Sequence, residues 1–497
     1  MSGMGQPAPG SLLEAVNRLL NDAIRAFSGT AQEQQLRSVL ARAGEPLRVA
    51  IAGKVKAGKS TLLNALVGEE LAPTDEGECT RIVTWYQNSH TYKVEVEPLM
   101  GAARQVPFVR NEGAIEVDLG DLDPSEITRL VVDWPSRSLE RITLIDTPGI
   151  ASLSAEVSAR SYAFLAPDDD HVTEADAVLY LMKHLHASDV GFLESFHDEA
   201  VSQATPVNAI AILSRADELG CGRLDSMVSA QRIAGRYRTD PNIRRLAQTV
   251  LPVAALLAAT GSTLREVEFS ALSRLAEMPE TEAQSLLISV DRFVNSKTSS
   301  DLAPEERSAL LERLGLFGVR FSMNLISEGQ VETSSQLSQA LIGASGLREL
   351  QAALLTQFAE RRDVLKARSG MLAIEAAMRA LPDVDTGTLS DDVERVTAGA
   401  HEFNELRLLN ALRTGAVLAK QVDVEEMERL LGTSGMGYAD RLGVDRGANP
   451  GAIGEAAQGA LLKWQRKAES PMSAPSLAAA ARVMVRTCEG ILTSLAR

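Results

Sequence analysis

Aromatic side chains are scarce in this chain of 497 residues: Phe, Tyr and Trp together make up 4%. With Ala and Leu abundant, the composition leans toward helix. Cysteine is scarcer still. Cys79, Cys221 and Cys488 are odd in number and far apart, with no CxxC, which supports neither a disulfide framework nor a zinc site and fits a reducing, cytoplasmic setting. No run of about 18 apolar residues occurs, so no segment is expected to span a bilayer. Positive charge is in deficit, 50 Lys and Arg against 66 Asp and Glu, for a net −16. That excludes a general nucleic-acid binder and a protein held to membranes by a polybasic surface; any contact with anionic lipid must be local. Met1–Gly10 has neither a basic n-region nor an apolar h-region, so it reads as a short disordered tail and not a secretion signal. The His184 and His186 pair reads as loop packing, and Asp168–Asp170 as a solvated loop, more readily than as metal sites.

Apolar residues make up 45% of the chain, ample for large cores, and the length suggests two to four domains. Ser11-Leu-Leu-Glu14 is a capping box. The stripe Leu12, Val16, Leu19, Leu20, Ala23 and Phe27 after it predicts an amphipathic helix, and a second runs from Ala31 to Ala43. The character changes at Leu47. Strand patterns at Leu47–Ala52, Ile82–Gln87, Tyr92–Val96, Thr128–Trp134, Arg141–Ile145, Ala177–Met182, Val207–Leu213 and Val250–Ala254 alternate with helical ones. Val178–Met182 and Ala209–Leu213 are apolar on both faces, as in a covered central sheet. This predicts a doubly wound α/β domain. After about Thr260 only helical patterns remain, from Ser262 to Leu495, with breaks at Gly315, Gly343–Gly346, Pro382–Gly387, Gly432–Gly437, Gly447–Gly451 and Ser470–Pro475. The expected organisation is a tail (1–10), N-terminal helices joining a stalk (11–45), an α/β domain (46–262) and a helical bundle (263–497). The α/β domain is thus inserted into an elongated α-helical bundle stalk.

Gly53-Lys-Val-Lys-Ala-Gly58-Lys59-Ser60 matches GxxxxGK[ST] between a predicted strand and a predicted helix, the context that motif requires. Glycines let backbone N–H groups approach phosphates, and a helix N-terminus favours their charge. Gly53, Lys56, Ala57, Gly58, Lys59, Ser60 and Thr61 are the candidate phosphate-binding residues, with Lys59 reaching the β and γ phosphates and the Ser60 hydroxyl holding Mg²⁺. Asp146-Thr-Pro-Gly149 ends another buried strand; its carboxylate approaches Mg²⁺ and the Gly149 N–H senses a γ-phosphate. Thr80, in the polar stretch before Ile82, is the candidate switch threonine completing the metal shell; Thr74 and Thr84 compete with it. Ser214-Arg215-Ala216-Asp217 resembles the [NT]KxD motif that selects guanine. Asp217 accepts from guanine N1–H and N2–H₂, which adenine does not offer, and the Arg215 stem lies along the base. The plainer alternative for Asp217 is a helix cap.

Small GTPases orient the attacking water with a Gln after DxxG; here the residue is Ile150, so catalytic help must come from elsewhere. Lys56 occupies the slot that holds Asn, Asp or Ser in cation-dependent GTPases. Its ammonium would replace the monovalent cation and offset charge at the β–γ bridge; the plainer alternative is a solvated loop lysine. Lys59, Thr80 and Lys56 are therefore the candidate catalytic residues, with Arg81 a lesser candidate for positioning the switch or for a cross-dimer contact.

Taken together, the phosphate loop within Ala50–Gly68, Ala72-Pro-Thr-Asp75, Thr80-Arg-Ile-Val-Thr-Trp85, DTPG followed by an apolar residue, Ser214-Arg-Ala-Asp-Glu218 and Ser289–Val294 resemble the bacterial dynamin-like proteins, over most of the chain from about Leu12. The resemblance implies a large P-loop GTPase using GTP and Mg²⁺. It implies pairing through the nucleotide domains with a second copy or a related chain, which completes the active site and agrees with the missing Gln. It further implies membrane remodelling by a swinging stalk, and a cytoplasmic location peripheral to the inner face of the plasma membrane. A soluble GTP-regulated switch acting on a protein partner is the competing reading. The family has Gln-Ser or similar before Ala-Gly-Lys; Val55-Lys56 departs from that. Two segments are candidate membrane tips or else buried bundle helices: Gly315–Ile326, and Met371–Ile374 following Arg361, Arg362, Lys366 and Arg368.

Overall fold

The computed structural model describes residues 11–73, 82–111, 114–148, 174–183, 208–244 and 246–496. Thr74, Arg81, Ile150, Asp168–Asp170, His184 and His186 lie outside them. Helices α1 (Leu12–Ala26) and α2 (Ala31–Arg42) open the described chain; the Ser11 hydroxyl accepts from Glu14 N and caps α1. Among the described residues eleven strands follow, interrupted by helices: β1 (Leu47–Gly53), β2 (Thr84–Asn88), β3 (Lys93–Pro98), β4 (Arg104–Gln105), β5 (Phe108–Asn111), β6 (Ala114–Val117), β7 (Ile127–Trp134), β8 (Ile142–Asp146), β9 (Ala177–Met182), β10 (Ala209–Ser214) and β11 (Val250–Val253). Nine form one sheet in the order β11-β10-β9-β1-β8-β2-β7-β3-β4, while β5 and β6 pair as a separate hairpin. The sheet is mixed. From β11 to β8 neighbours run parallel; β2 is antiparallel to β8, and β3 is antiparallel to β7. The strand patterns did not anticipate β4, β5 or β6, which are too short to carry an alternation.

Period-2 alternation sends each central strand to two different cores. Val49, Ile51, Leu144, Leu179 and Leu181 face one layer, which includes helix α3 (Lys59–Val67), α1, α2 and the helix Arg362–Ala380. Ala50, Ala52, Ile145, Val178 and Tyr180 face the other, with Ala234, Ile243 and Leu246. The helical residues beyond the sheet divide into two further cores. One joins the helices between Ala255 and Ala344 to Leu213, Ala216 and Ala254, at the end of the sheet. The other lies among His401–Arg413, Gln421–Leu430, Pro450–Glu469 and Pro475–Leu495, around fully buried Trp464 and Met484.

Both candidate membrane tips fall inside these cores. Gly315–Ile326 belongs to the helical span Pro304–Ser327, which is kinked at Gly315, with Phe317, Val319 and Met323 packed into the core at the end of the sheet. Met371 and Ile374 have no exposed surface, and Arg361, Lys366 and Arg368 before them are buried too. An apolar face already covered by protein has nothing left to offer lipid, so both segments are buried helices.

The charges around Lys366 join the sheet to the helix Arg362–Ala380. Lys366 Nζ lies 2.7 Å from Asp176 Oδ2, and Arg42 reaches the other oxygen at 3.7 Å. Arg48 N–H donates to Asp176 Oδ2 at 2.9 Å. One carboxylate thus ties α2, β1, the entry to β9 and the helix Arg362–Ala380. Burial opposes its ionisation, yet Lys366, Arg42 and the Arg48 amide together hold its pKa below the usual carboxylate value. The sign follows. A depressed folded pKa stabilises the fold above the ordinary value near 3.8, and that contribution is lost as pH falls through the folded value. Asp176→Asn leaves two buried cations without their anion, and the expected loss at pH 7 is about 3–5 kcal/mol in urea unfolding. A variant within about 1 kcal/mol of wild type would show that the joint does not depend on this charge.

Candidate nucleotide-binding site

β1 lies between β8 and β9, and the C-terminal ends of these strands form the crevice where open α/β sheets bind ligands. Gly53 ends β1 in register with Leu181 of β9. Its φ is +152°, and a Cβ there would stand 2.6 Å from Leu181 O, so only glycine lets the chain leave the strand along this path. The turn continues through Lys56, exposed and left-handed at φ +61°, to Gly58, which precedes the first turn of α3. A long side chain in that conformation is uncommon and marks a turn whose shape is imposed by its surroundings. Ala57 is buried beneath the turn.

Lys59 folds back over the turn, with Nζ 3.5 Å from both Gly53 O and Lys54 O. These long contacts are weak hydrogen bonds that a phosphate oxygen can displace. Burial pulls its ammonium pKa down, and Asp146 opposes that shift. Burial pushes the Asp146 carboxyl up, while Lys59 and a hydrogen bond from Ser60 restrain it. Ser60 Oγ donates to Asp146 Oδ2 at 2.9 Å across the crevice. With its proton committed there, the Ser60 oxygen keeps its lone pairs for a cation. Asp146 Oδ1 is buried and without a hydrogen-bond partner. A cavity of ≈ 20 Å³, bounded in part by Ser60, Pro73, Thr84 and Asp146, adjoins them, room for about one water-sized occupant. An orphaned carboxylate oxygen and a hydroxyl are hard donors, and they fit Mg²⁺ and its water.

Of the competing switch threonines, Thr84 sits in β2 opposite Asp146, its hydroxyl donating to Ile82 O at 3.2 Å. Thr80 and Gly149 lie outside the described residues. Thr61 follows Ser60 in the first turn of α3. Motif reading passed over Asn64. Buried in α3, its side-chain oxygen accepts from the N–H groups of Leu71 and Ala72 at 2.9 and 2.7 Å, and its amide donates to Ala72 O at 2.9 Å. It pins the strand of chain leading to residue 74 onto the phosphate helix. The available signal was an amide in the otherwise apolar run Leu62–Val67.

The base loop follows β10. Arg215 is left-handed at φ +52°, and its guanidinium pairs with Glu218 at 2.7 Å. Asp217 is buried, and its carboxyl is pushed up to about 6, chiefly by burial. Buried Ser214 Oγ has no partner. The helix Pro304–Ser327 seats this loop. Its backbone breaks at Gly315 (φ +63°, ψ 174°), where a Cβ would lie 3.6 Å from Asp217 Oδ2. One turn on, Arg320 donates to Gly222 O and, at 2.5 Å, to Leu287 O. Helical residues far along the chain thus form one wall of the base loop.

Gly315 occupies backbone space that L-residues avoid. Gly315→Ala should lower the melting temperature, at a cost on the order of 1–3 kcal/mol, and weaken guanine-nucleotide binding by displacing the wall beside Asp217. Because a Cβ there would meet Asp217 Oδ2 and Leu256 only at ordinary contact distances of 3.6 and 3.7 Å, an unchanged melting curve would mean that the break carries no strain.

Comparison with known proteins agrees with this arrangement. The Dynamin family model matches residues 49–206. The isoniazid-induced protein IniC of Mycobacterium tuberculosis is 37% identical over 489 residues, covering 97% of this chain and 98% of its own. A bacterial dynamin-like protein of Nostoc punctiforme is 27% identical over 163 residues, 30% of this chain and 22% of that one. A solved structure described as an oligomerised bacterial dynamin pair, with a mechanism for long-range sensing and tethering of membranes, aligns at 14% identity and TM-score 0.30. It covers 99% of this chain and 80% of that chain, but a superposition so loose carries no argument. With a phosphate turn of this shape inside a mixed α/β sheet, and a relative matched along nearly its whole length, the chain belongs to the dynamin family, as a bacterial dynamin-like GTPase.

Proposed function

We propose that the chain holds GTP with Mg²⁺ at the turn between β1 and α3, hydrolyses it on pairing of two nucleotide domains, and uses its helices to remodel or maintain a membrane. The observation that carries the nucleotide part is the Ser60–Asp146 hydrogen bond beside an orphaned carboxylate oxygen. When bound, Mg²⁺ supplies charge neutralisation at the phosphates. Ser60 and Asp146 hold it, with Thr80 from the switch. Lys59 leaves its two carbonyls for the phosphates, and Gly53, Ala57, Gly58 and Thr61 line them, with Gly149 facing the γ position. Lys56, exposed on the turn, takes the place of a monovalent cation beside the β–γ bridge. Asp217 reads the guanine edge, and Arg215 lies along the base.

Membrane contact in this proposal belongs to one end of the bundle. Leu418, Val422 and Met472 are 72%, 69% and 93% exposed. The two loops concerned meet where Leu418 N–H donates to Ser476 Oγ at 3.3 Å. Such apolar tips, beside Lys420, suit the interfacial layer of a bilayer.

Only ionised Asp217 accepts both guanine donors. With its pKa near 6, guanine affinity falls as pH drops through that value, by about tenfold at pH 5. The same raised pKa means that the unliganded chain loses stability as pH rises from about 4 to 6, and bound guanine opposes that loss. Asp217→Asn should bind weakly with no pH step in this range. A step of equal size in that variant would assign the titration to another group.

Turnover and flotation on anionic vesicles test the whole proposal together. GTP hydrolysis is expected to rise with protein concentration, to be as fast in Na⁺ or a large organic cation as in K⁺, and to vanish in Lys59→Ala. Leu418→Asp with Met472→Asp should abolish flotation and leave basal turnover intact. Strong K⁺ stimulation would remove the role given to Lys56. Turnover independent of concentration, without flotation, would favour a soluble GTP-regulated switch.

A further inference from the structure

A second cavity, lined by both polar and apolar side chains, lies where the edge of the sheet meets the helices that follow it. Its volume is ≈ 360 Å³, at the lower end of the range that holds small organic ligands. One wall is the nucleotide domain: Arg238, the short helix Pro241–Arg244, and Gln248–Leu251 entering and forming β11. The other wall is helical: Ala352, Ala353, Thr356 and Gln357, the end of His401–Arg413, Glu428, Thr433, Ser434 and Arg446. Thr356 and Gln357 lie in a π-helical turn, Leu354–Phe358, a distortion frequent at functional sites.

Four arginines line this cavity, Arg238, Arg244, Arg413 and Arg446, and among the described lining residues Glu428 is the single carboxylate. Glu428 is already committed to Arg244 at 2.7 Å. Arg446 pairs with Asp440 at 2.7 Å, outside the lining. Arg413 is 7% exposed, and its Nη1 is buried without a hydrogen-bond partner. Burial, and repulsion from Arg361 and Arg244, pull its guanidinium down to about 10 in spite of Glu428. Gln357 donates to Thr433 O at 2.5 Å, and its buried Oε1 has no partner. A buried cation without a full counter-charge is costly unless an anion completes it. An unmet acceptor in the same cavity suits a hydroxyl on that anion.

We infer that this cavity binds a small phosphate-bearing anion, its oxygens on Arg413 with Arg238 and Arg446 at the rim, and a hydroxyl on Gln357 Oε1. Arginine forks match phosphate geometry. Since one wall belongs to the sheet and the other to the stalk, the ligand bridges them, and its binding stabilises their contact. The phosphate can come from a soluble ester or from a lipid headgroup. This site is separate from the phosphate turn and does not depend on the function proposed for it.

The test is calorimetric titration of the full chain with pyrophosphate, glycerol 3-phosphate and dihexanoyl phosphatidate, in GDP-saturated wild type and in Lys59→Ala, so that the phosphate turn is filled or disabled. Binding of one equivalent per chain is expected in both, with the melting temperature rising in step. Arg413→Gln should weaken binding at least tenfold and remove that rise, without lowering the melting temperature of the unliganded chain. Binding of pyrophosphate or glycerol 3-phosphate assigns a soluble phosphate compound as the ligand; binding of the phosphatidate alone assigns a lipid headgroup. No heat with any probe, or an Arg413→Gln affinity within twofold of wild type, overturns the inference. If Arg413→Gln fails to fold, Arg446→Gln at the exposed rim decides: several-fold weaker binding upholds the site, and unchanged affinity overturns it.

Discussion

A carboxylate shut away from water needs its cations close by, and Asp176 draws its own from separated parts of the chain. Lys366 comes from the stalk, Arg42 from the N-terminal helices, and the backbone donor from β1. In an interior of low dielectric constant such a group is either neutralised or surrounded. Here it is surrounded, and the requirement fixes how the N-terminal helices and the helix Arg362–Ala380 sit against the sheet. Directional ion pairs select one docking where apolar packing alone would tolerate several. β1, with the turn at its end, is placed by its pairing with β8 and β9 and joins that arrangement through the Arg48 N–H.

The nucleotide site follows the same logic with the balance left incomplete. Lys59 and Asp146 are both partly desolvated and each restrains the other's pKa shift, yet Lys59 keeps only long contacts and Asp146 keeps an unbonded oxygen. A polar site that is nearly but not fully satisfied is prepared for a charged ligand. At the opposite end of the crevice, a helix that begins more than eighty residues downstream of the base loop backs Asp217. The break at Gly315 beside Asp217 and the Arg320 hydrogen bond to Gly222 O seat that helix against the base loop.

Much of this could be read from the residues in order. The phosphate turn announces itself because glycine spacing, a lysine and a hydroxyl must follow one another within eight residues. The central strands announce themselves because both faces are apolar. The stripe of α1 was legible for the same reason, since a periodic pattern needs no partner to be seen. Strands β4 to β6 were not legible, because their few residues owe their pairing to neighbours and not to their own pattern. Asn64 was missed because its partners are backbone groups, which no side-chain motif records. The apolar runs after Gly315 and at Met371 show how bulk beside basic charge can suggest an interface when it is in fact core. The charge of Lys366 faces a buried carboxylate that lies 190 positions earlier.

By itself, then, the sequence determined the local events: which of the longer segments become strands or helices, where the glycine-bounded turn after β1 falls, and that among the described residues no helix is long and apolar enough to cross a membrane. These depend on residues within a few positions of one another, whose spacing is set by covalent geometry. Only the tertiary structure decided that Asp176 joins sheet to stalk, that a late helix walls the base loop, and that Arg413 meets three other arginines around one cavity. Each of those depends on burial and on charges brought together from distant positions, and desolvation acts on where a side chain ends up, not on its place in the chain.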